Sequence, residues 1–293
     1  MSSRRSLRRR LRDAVTSLYR PSTLGVLAIL LGAAVATPQV MRLTRELARQ
    51  PIYLVEGGDV QITRPHEFVD PHFFRDALDA AGLEPPLSVV DPLLVSRLRL
   101  SLEESPWVAS VDHLSATLSG GVRIALTYRR PAMMVQTGDG LFPVDEDAVL
   151  LPSRSFDRMD AGRFPMLRLF EGSPAAAVGG RWRDTRVLSA VQVVRALHPF
   201  GEDQTLWQRA ELVELRPGDT TKTWEIWTAA GSRVIWGEAD SDGVVEPATE
   251  QKIGKLESLL AQRRSLNAPA GPYRIDLRRW DVITLEPIAG VRR

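Results

Sequence analysis

Few residues in this chain of 293 are of a type and spacing that could carry chemistry. His66 and His72 stand six apart across a helix start and could in principle share a metal ion. A protein zinc site takes three or four ligands, no further ligand pattern accompanies the two, and packing where the helix begins is the simpler reading. Asp145-Glu146-Asp147 could supply an acid and a base, but three acidic residues between short apolar runs read as a solvated turn. There is no cysteine, which removes disulfides, thiolate nucleophiles and the common structural zinc sites. No G-x-S-x-G, P-loop, H-E-x-x-H or strand-linked G-x-G-x-x-G occurs. The expectation is a protein that is not an enzyme and takes no metal, cofactor or small-molecule substrate.

Aromatic residues point elsewhere, because five of the seven tryptophans (Trp207, Trp224, Trp227, Trp236, Trp280) fall in the last third. Alternation puts Trp224 and Ile226 on one face of a strand and Trp227 on the other, so Trp227 is a candidate for exposure at a protein interface. Two short strands come last, at residues 273–277 and 282–285, and one of them at a sheet edge could accept a strand from another protein. Tyr273, Ile275 and Trp280 would then give apolar contact and Arg278 a charge-assisted hydrogen bond, with Asp276 in the same stretch. The alternative is that these strands only complete the domain, with Ile275 and Leu277 in its core.

The elements that must position these residues read as α+β. Strand-like stretches at 52–55 and 60–63 precede two helices, each announced by an N-cap carboxylate before a first-turn proline, Asp70-Pro71 and Asp91-Pro92. Gly82 supplies a left-handed stop for the first helix, and Ser105-Pro106 ends the second. A hairpin turning at Gly120-Gly121 completes a β-α-α-β-β unit over residues 51–131. From 132 to 293 the pattern is short strands with helices at 186–197 and 250–264, an antiparallel sheet with helices on it. Residues 152–184, rich in Pro, Gly and Arg, read as an extended surface connection with one strand at 166–170.

Charge is uneven. Residues 1–20 hold seven arginines against Asp13, a segment of +6, so residues 21–293 carry −4. A nucleic-acid-binding domain would carry its basic excess on the fold, and here the excess is in a tail. Residues 24–41 then run for eighteen positions without a formal charge, Leu24, Val26, Leu27, Ile29, Leu30, Leu31 and Val35 supplying the apolar bulk. At about 1.5 Å per residue this nearly reaches the ~30 Å of a hydrocarbon core. The expected organisation is a cytoplasmic basic tail (1–22), a transmembrane helix (23–41), a juxtamembrane helix (42–50) and the two domains outside, oriented by the arginines before the span. Lipid contact would be through that one helix. A cleaved signal peptide ending near Ala34-Val35-Ala36, a twin-arginine signal and a buried soluble helix are the alternatives.

Along nearly its whole length the sequence resembles the FtsQ/DivIB family of bacterial cell-division proteins. The resemblance rests on Ser105-Pro106-Trp107-Val108-Ala109-Ser110-Val111, on Ile124-Ala125-Leu126-Thr127-Tyr128-Arg129-Arg130-Pro131-Ala132, on Arg233-Val234-Ile235-Trp236-Gly237 before a helix with lysines, and on Tyr273-Arg274-Ile275-Asp276-Leu277-Arg278. Tyr128 stands where the family usually has Glu, and Asp147 where its turn usually has Gly. The resemblance implies a POTRA-like module at 51–131 followed by a larger β domain. It also implies a scaffold in the cell inner membrane at the division septum, holding the small coiled-coil partners FtsB and FtsL and acting through them on septal peptidoglycan synthesis. The competing class is a POTRA-bearing envelope protein that handles polypeptides in outer-membrane assembly or secretion.

Overall fold

The computed structural model describes residues 25, 29, 32–37, 39, 42, 54–55, 60–117, 121–169, 173–199, 205–220 and 223–288. The expected membrane span is corrected: among the described residues no helix is long and apolar enough to cross a membrane. That overturns the spanning part of the expected fold and, with it, the single-pass placement in the inner membrane. Residues 25, 29, 32–37, 39 and 42 are helical, and Ile29 and Val35 are exposed. The stretch 32–37 is one glycine, three alanines, one valine and one threonine, side chains that offer little of the apolar area on which transfer into hydrocarbon depends. Gln39 and Arg42 follow at once. Leu24, Val26, Leu27, Leu30, Leu31, the basic tail and residues 43–50 of the helix expected at 42–50 lie outside the described residues.

The chain divides into two compact units, residues 1–62 with 78–99 and 113–124, and residues 63–77 with 100–112 and 125–293. In the first, β1 (Leu54–Val55) pairs antiparallel with β3 (Leu87–Ser88). There β2 (Val60–Ile62) runs parallel to β5 (Gly121–Tyr128), Val60 opposite Val122 and Ile62 opposite Ile124. Leu83, Leu87, Leu94, Leu98, Val122 and Ile124 are buried in it. Both Asp-Pro signals work as caps: Asp70 accepts the His72 amide at 2.8 Å and Asp91 the Leu93 amide at 2.9 Å. They start α1 (Phe73–Ala80) and α2 (Leu94–Glu104). Gly82, at φ +64°, turns the chain out of α1 where a side chain would be strained. The short strand β3 sits between the helices, so the order differs from the β-α-α-β-β expected.

Strand β4 (Val108–Thr117) follows, and the three-stranded sheet has the order β2-β5-β4. The remaining strands are β6 (Pro131–Thr137), β7 (Gly140–Asp145), β8 (Met166–Arg168), β9 (Leu212–Pro217), β10 (Thr223–Thr228), β11 (Arg233–Glu238), β12 (Tyr273–Asp276) and β13 (Thr284–Pro287). They form one eight-stranded sheet in the second unit, ordered β13-β12-β11-β10-β9-β8-β6-β7. This sheet is mixed and not antiparallel as expected: β6 with β8, β8 with β9 and β11 with β12 are parallel. Helices explain two of the three pairs. The chain leaves β8 and returns as β9 through α4 (Thr185–Leu197) and α5 (Leu206–Arg209), and leaves β11 for β12 through α6 (Thr249–Arg263). A helical crossover lays the next strand parallel to the last.

Alternation sets the two faces of this sheet. Met133, Val135, Leu167, Leu215, Trp224, Ile226, Val234, Trp236 and Ile275 point to one side and join the main hydrophobic core with Val187, Val191 and Val194 of α4 and Leu256 and Leu259 of α6. Asp184 caps α4 by accepting the Arg186 amide, and the helix ends at His198 before Pro199. The 152–184 connection is more ordered than expected. It carries a 3-10 turn (Ser153–Ser155) and α3 (Arg158–Ala161), with Phe156 stacked on Phe68 at 5.0 Å between ring centres.

Candidate partner-binding edge

The strand order places β13 at one end of the large sheet. Tyr273 faces Pro287, Arg274 faces Glu286, Ile275 faces Leu285 and Asp276 faces Thr284. Among the described residues its other side pairs with no strand. Alternate residues of such an edge turn N–H and C=O groups away from their one neighbour, which is the template for an added strand.

The residues named from sequence divide around this edge. Ile275 is fully buried and belongs to the core. Tyr273 is half-buried against the same core with the Arg263 guanidinium 5.3 Å from its ring centre. Trp280 and Val282, in the loop between β12 and β13, are exposed at 44% and 59% and carry the apolar surface of the edge. Arg278 holds Asp276 in a two-point pair, Nη2 to Oδ2 at 2.7 Å and Nε to Oδ1 at 3.0 Å. Burial alone would raise the Asp276 carboxyl, but the Arg278 hydrogen bonds outweigh it and keep the group below its ordinary range. Arg278 is correspondingly pushed up, chiefly by the same hydrogen bond. A partner carboxylate would therefore meet a guanidinium already oriented by Asp276 and with Nη1 still to offer.

Trp227 lies on the face opposite the core, as alternation requires, but not as a bare anchor. Its ring is held between two guanidiniums, Arg216 at 4.0 Å and Arg233 at 3.9 Å from the ring centre, and its Nε1 is buried with no hydrogen-bond partner. Register extends this into a row across the sheet: Met166, Glu214, Trp227, Arg233, Arg274 and Glu286 stand opposite one another from β8 to β13. Arg168 and Arg216 are both paired to Glu214, whose carboxylate is nearly buried. Arg233 and Arg274, neighbours in register, form no ion pair among the described residues. This arginine-rich face was not read from the sequence, because its members are contributed by strands more than a hundred residues apart and meet only through the pairing.

The other sequence candidates resolve differently. Both ring nitrogens of His66 are engaged, Nε2 on the Arg129 carbonyl at 2.8 Å and Nδ1 by the Phe68 amide at 3.3 Å. Among the described residues no group of three His, Cys, Asp or Glu could hold a metal ion. Asp145 is buried rather than solvated: its Oδ1 accepts the Asp147 and Val149 amides and its Oδ2 the Arg129 guanidinium at 2.9 Å. The edge thus combines an open strand side with the exposed Trp280 and the Arg278–Asp276 pair. Compared with models of known protein families and with curated proteins, the chain matches none.

Proposed function

We propose that this chain is a non-catalytic scaffold of the FtsQ/DivIB kind, which takes a strand of a small coiled-coil division protein, FtsB-like or FtsL-like, onto β13. Through such partners it would influence septal peptidoglycan synthesis. The observation that carries this reading is the unpaired side of β13 beside exposed Trp280 and oriented Arg278. The order of family-like motifs along the sequence supports it. In this account backbone hydrogen bonds give affinity, Trp280 and Val282 receive an apolar side chain of the added strand, and Arg278, Arg274 and Arg233 take its acidic residues.

The test pairs Arg278→Glu and Trp280→Ala with binding of an FtsB-like partner segment. Each variant should bind at least tenfold more weakly while keeping the wild-type circular dichroism spectrum, since loss of a central contact at an interface commonly costs ~2 kcal/mol. Unchanged binding in two folded variants removes this edge from the interface. Depletion in cells separates division from the competing class: unseparated filaments support the proposal, and outer-membrane defects with normal division oppose it.

A further inference from the structure

The second unit also contains a cleft that the β13 edge does not use. Its volume is about 980 Å³, at the upper end of the range of ligand pockets. The residues before α1, the turn from β5 into β6, the 145–147 turn and the end of α4 all line it, with half-buried Tyr128 and Phe164 as its aromatic wall. Part of its charge is already spent: Arg129 and Asp145 pair with each other, and Arg130 is also engaged. Four charged side chains in the lining are exposed and form no ion pair among the described residues, Arg64 and Arg195 as cations and Glu146 and Asp147 as anions.

A simple polyanion would gain the two arginines and be repelled by the two carboxylates, and a polycation would meet the converse. A ligand carrying one charge of each sign satisfies both pairs, and its apolar middle can lie on Tyr128 and Phe164. We propose that this cleft binds a short peptide with a free amino terminus and a free carboxylate, the carboxylate on Arg64 and Arg195 and the ammonium on Glu146 and Asp147. Charge-assisted hydrogen bonds at both ends select for a zwitterion over either capped form. The site is separate from strand addition, so Trp280→Ala leaves it intact.

Titration of the full chain with trialanine, N-acetyl-trialanine and trialanine amide, followed by amide chemical shifts, tests this directly. Trialanine should give saturable shifts at Arg64, Glu146, Asp147 and Arg195. Each cap removes one partly exposed ion pair and should weaken binding about fivefold. Asp147→Asn should reproduce the loss given by acetylation and add little to it, and Arg195→Gln should do the same against amidation. Absence of saturable shifts, equal affinity for capped and free peptides, or shifts confined to other surfaces overturns the proposal, and the capped peptides decide it even if a variant fails to fold.

Discussion

The most exacting consequence of the fold concerns Lys252, which is completely buried on α6. Its Nζ donates to Glu246 Oε2 at 2.9 Å and to the Glu238 carbonyl at 3.1 Å, and the same Glu246 oxygen accepts the Glu238 amide at 3.0 Å. Gly237, next to the last residue of β11, has φ +80°, and a side chain there would collide with the Glu246 carboxylate. One ion pair therefore fixes the loop 239–248 at the end of the sheet. Replacing Glu246 by Gln keeps an acceptor for the Glu238 amide but leaves the ammonium buried without its countercharge. Breaking a buried pair from one side costs ~3 kcal/mol or more. With a urea dependence of ~3 kcal/mol per M, Glu246→Gln should lower the denaturation midpoint by ~1 M. The double variant Lys252→Met with Glu246→Gln removes the stranded charge and should recover most of that loss, since a well-packed apolar replacement is often neutral. Equilibrium urea unfolding of the wild type and the two variants reads this out. A shift under ~0.3 M for Glu246→Gln, or a double variant no more stable than the single one, would refute the assignment of Lys252 as a paired buried charge.

Other expectations follow from the same geometry. Ile275→Ala should cost ~2–5 kcal/mol in the same assay because Ile275 is fully buried in the core, whereas Trp280→Ala should stay within ~0.5 kcal/mol. Trp227→Ala should cost ~1–2 kcal/mol by removing the ring between Arg216 and Arg233, with Trp227→Phe recovering most of it. His66 and His198 are both held below the ordinary value of 6.5, first by burial; for His66 the Arg129 carbonyl opposes this and Arg130 adds to it. The unfolded chain then binds more protons below about pH 6.5, so stability is full above that value and falls as the pH drops through it toward the folded values. Urea unfolding at about pH 7.5 and about pH 5.5 should show the lower midpoint at the acid condition, and equal midpoints would contradict the burial of the two rings.

What the sequence disclosed follows from the range of the forces involved. The two Asp-Pro caps, the Gly82 stop and the stripe of Val187, Val191 and Val194 on α4 are local signals, and each produced the element it announced. Strand direction is not a local property: a run of short strands suggests an antiparallel sheet, whereas α4 and α6 are crossovers that lay strands parallel. Residues 24–41 form an uncharged run, yet among the described residues no helix is long and apolar enough to cross a membrane. Of the residues named for the edge, Trp280 is exposed and Arg278 pairs with Asp276, while Ile275 turns into the core because its strand is covered on that face. The buried pair of Lys252 with Glu246 is not legible in the sequence, since only the fold brings the two together.

The central claim, that β13 is an open edge which accepts a partner strand, is tested most directly by amide hydrogen exchange across the chain with and without a saturating FtsB-like segment. Backbone pairing should slow exchange in the β13 amides at Thr284, Leu285 or Glu286 by tenfold or more while leaving the opposite edge at β7 unchanged. Saturable binding with no added protection anywhere in β13 would contradict it.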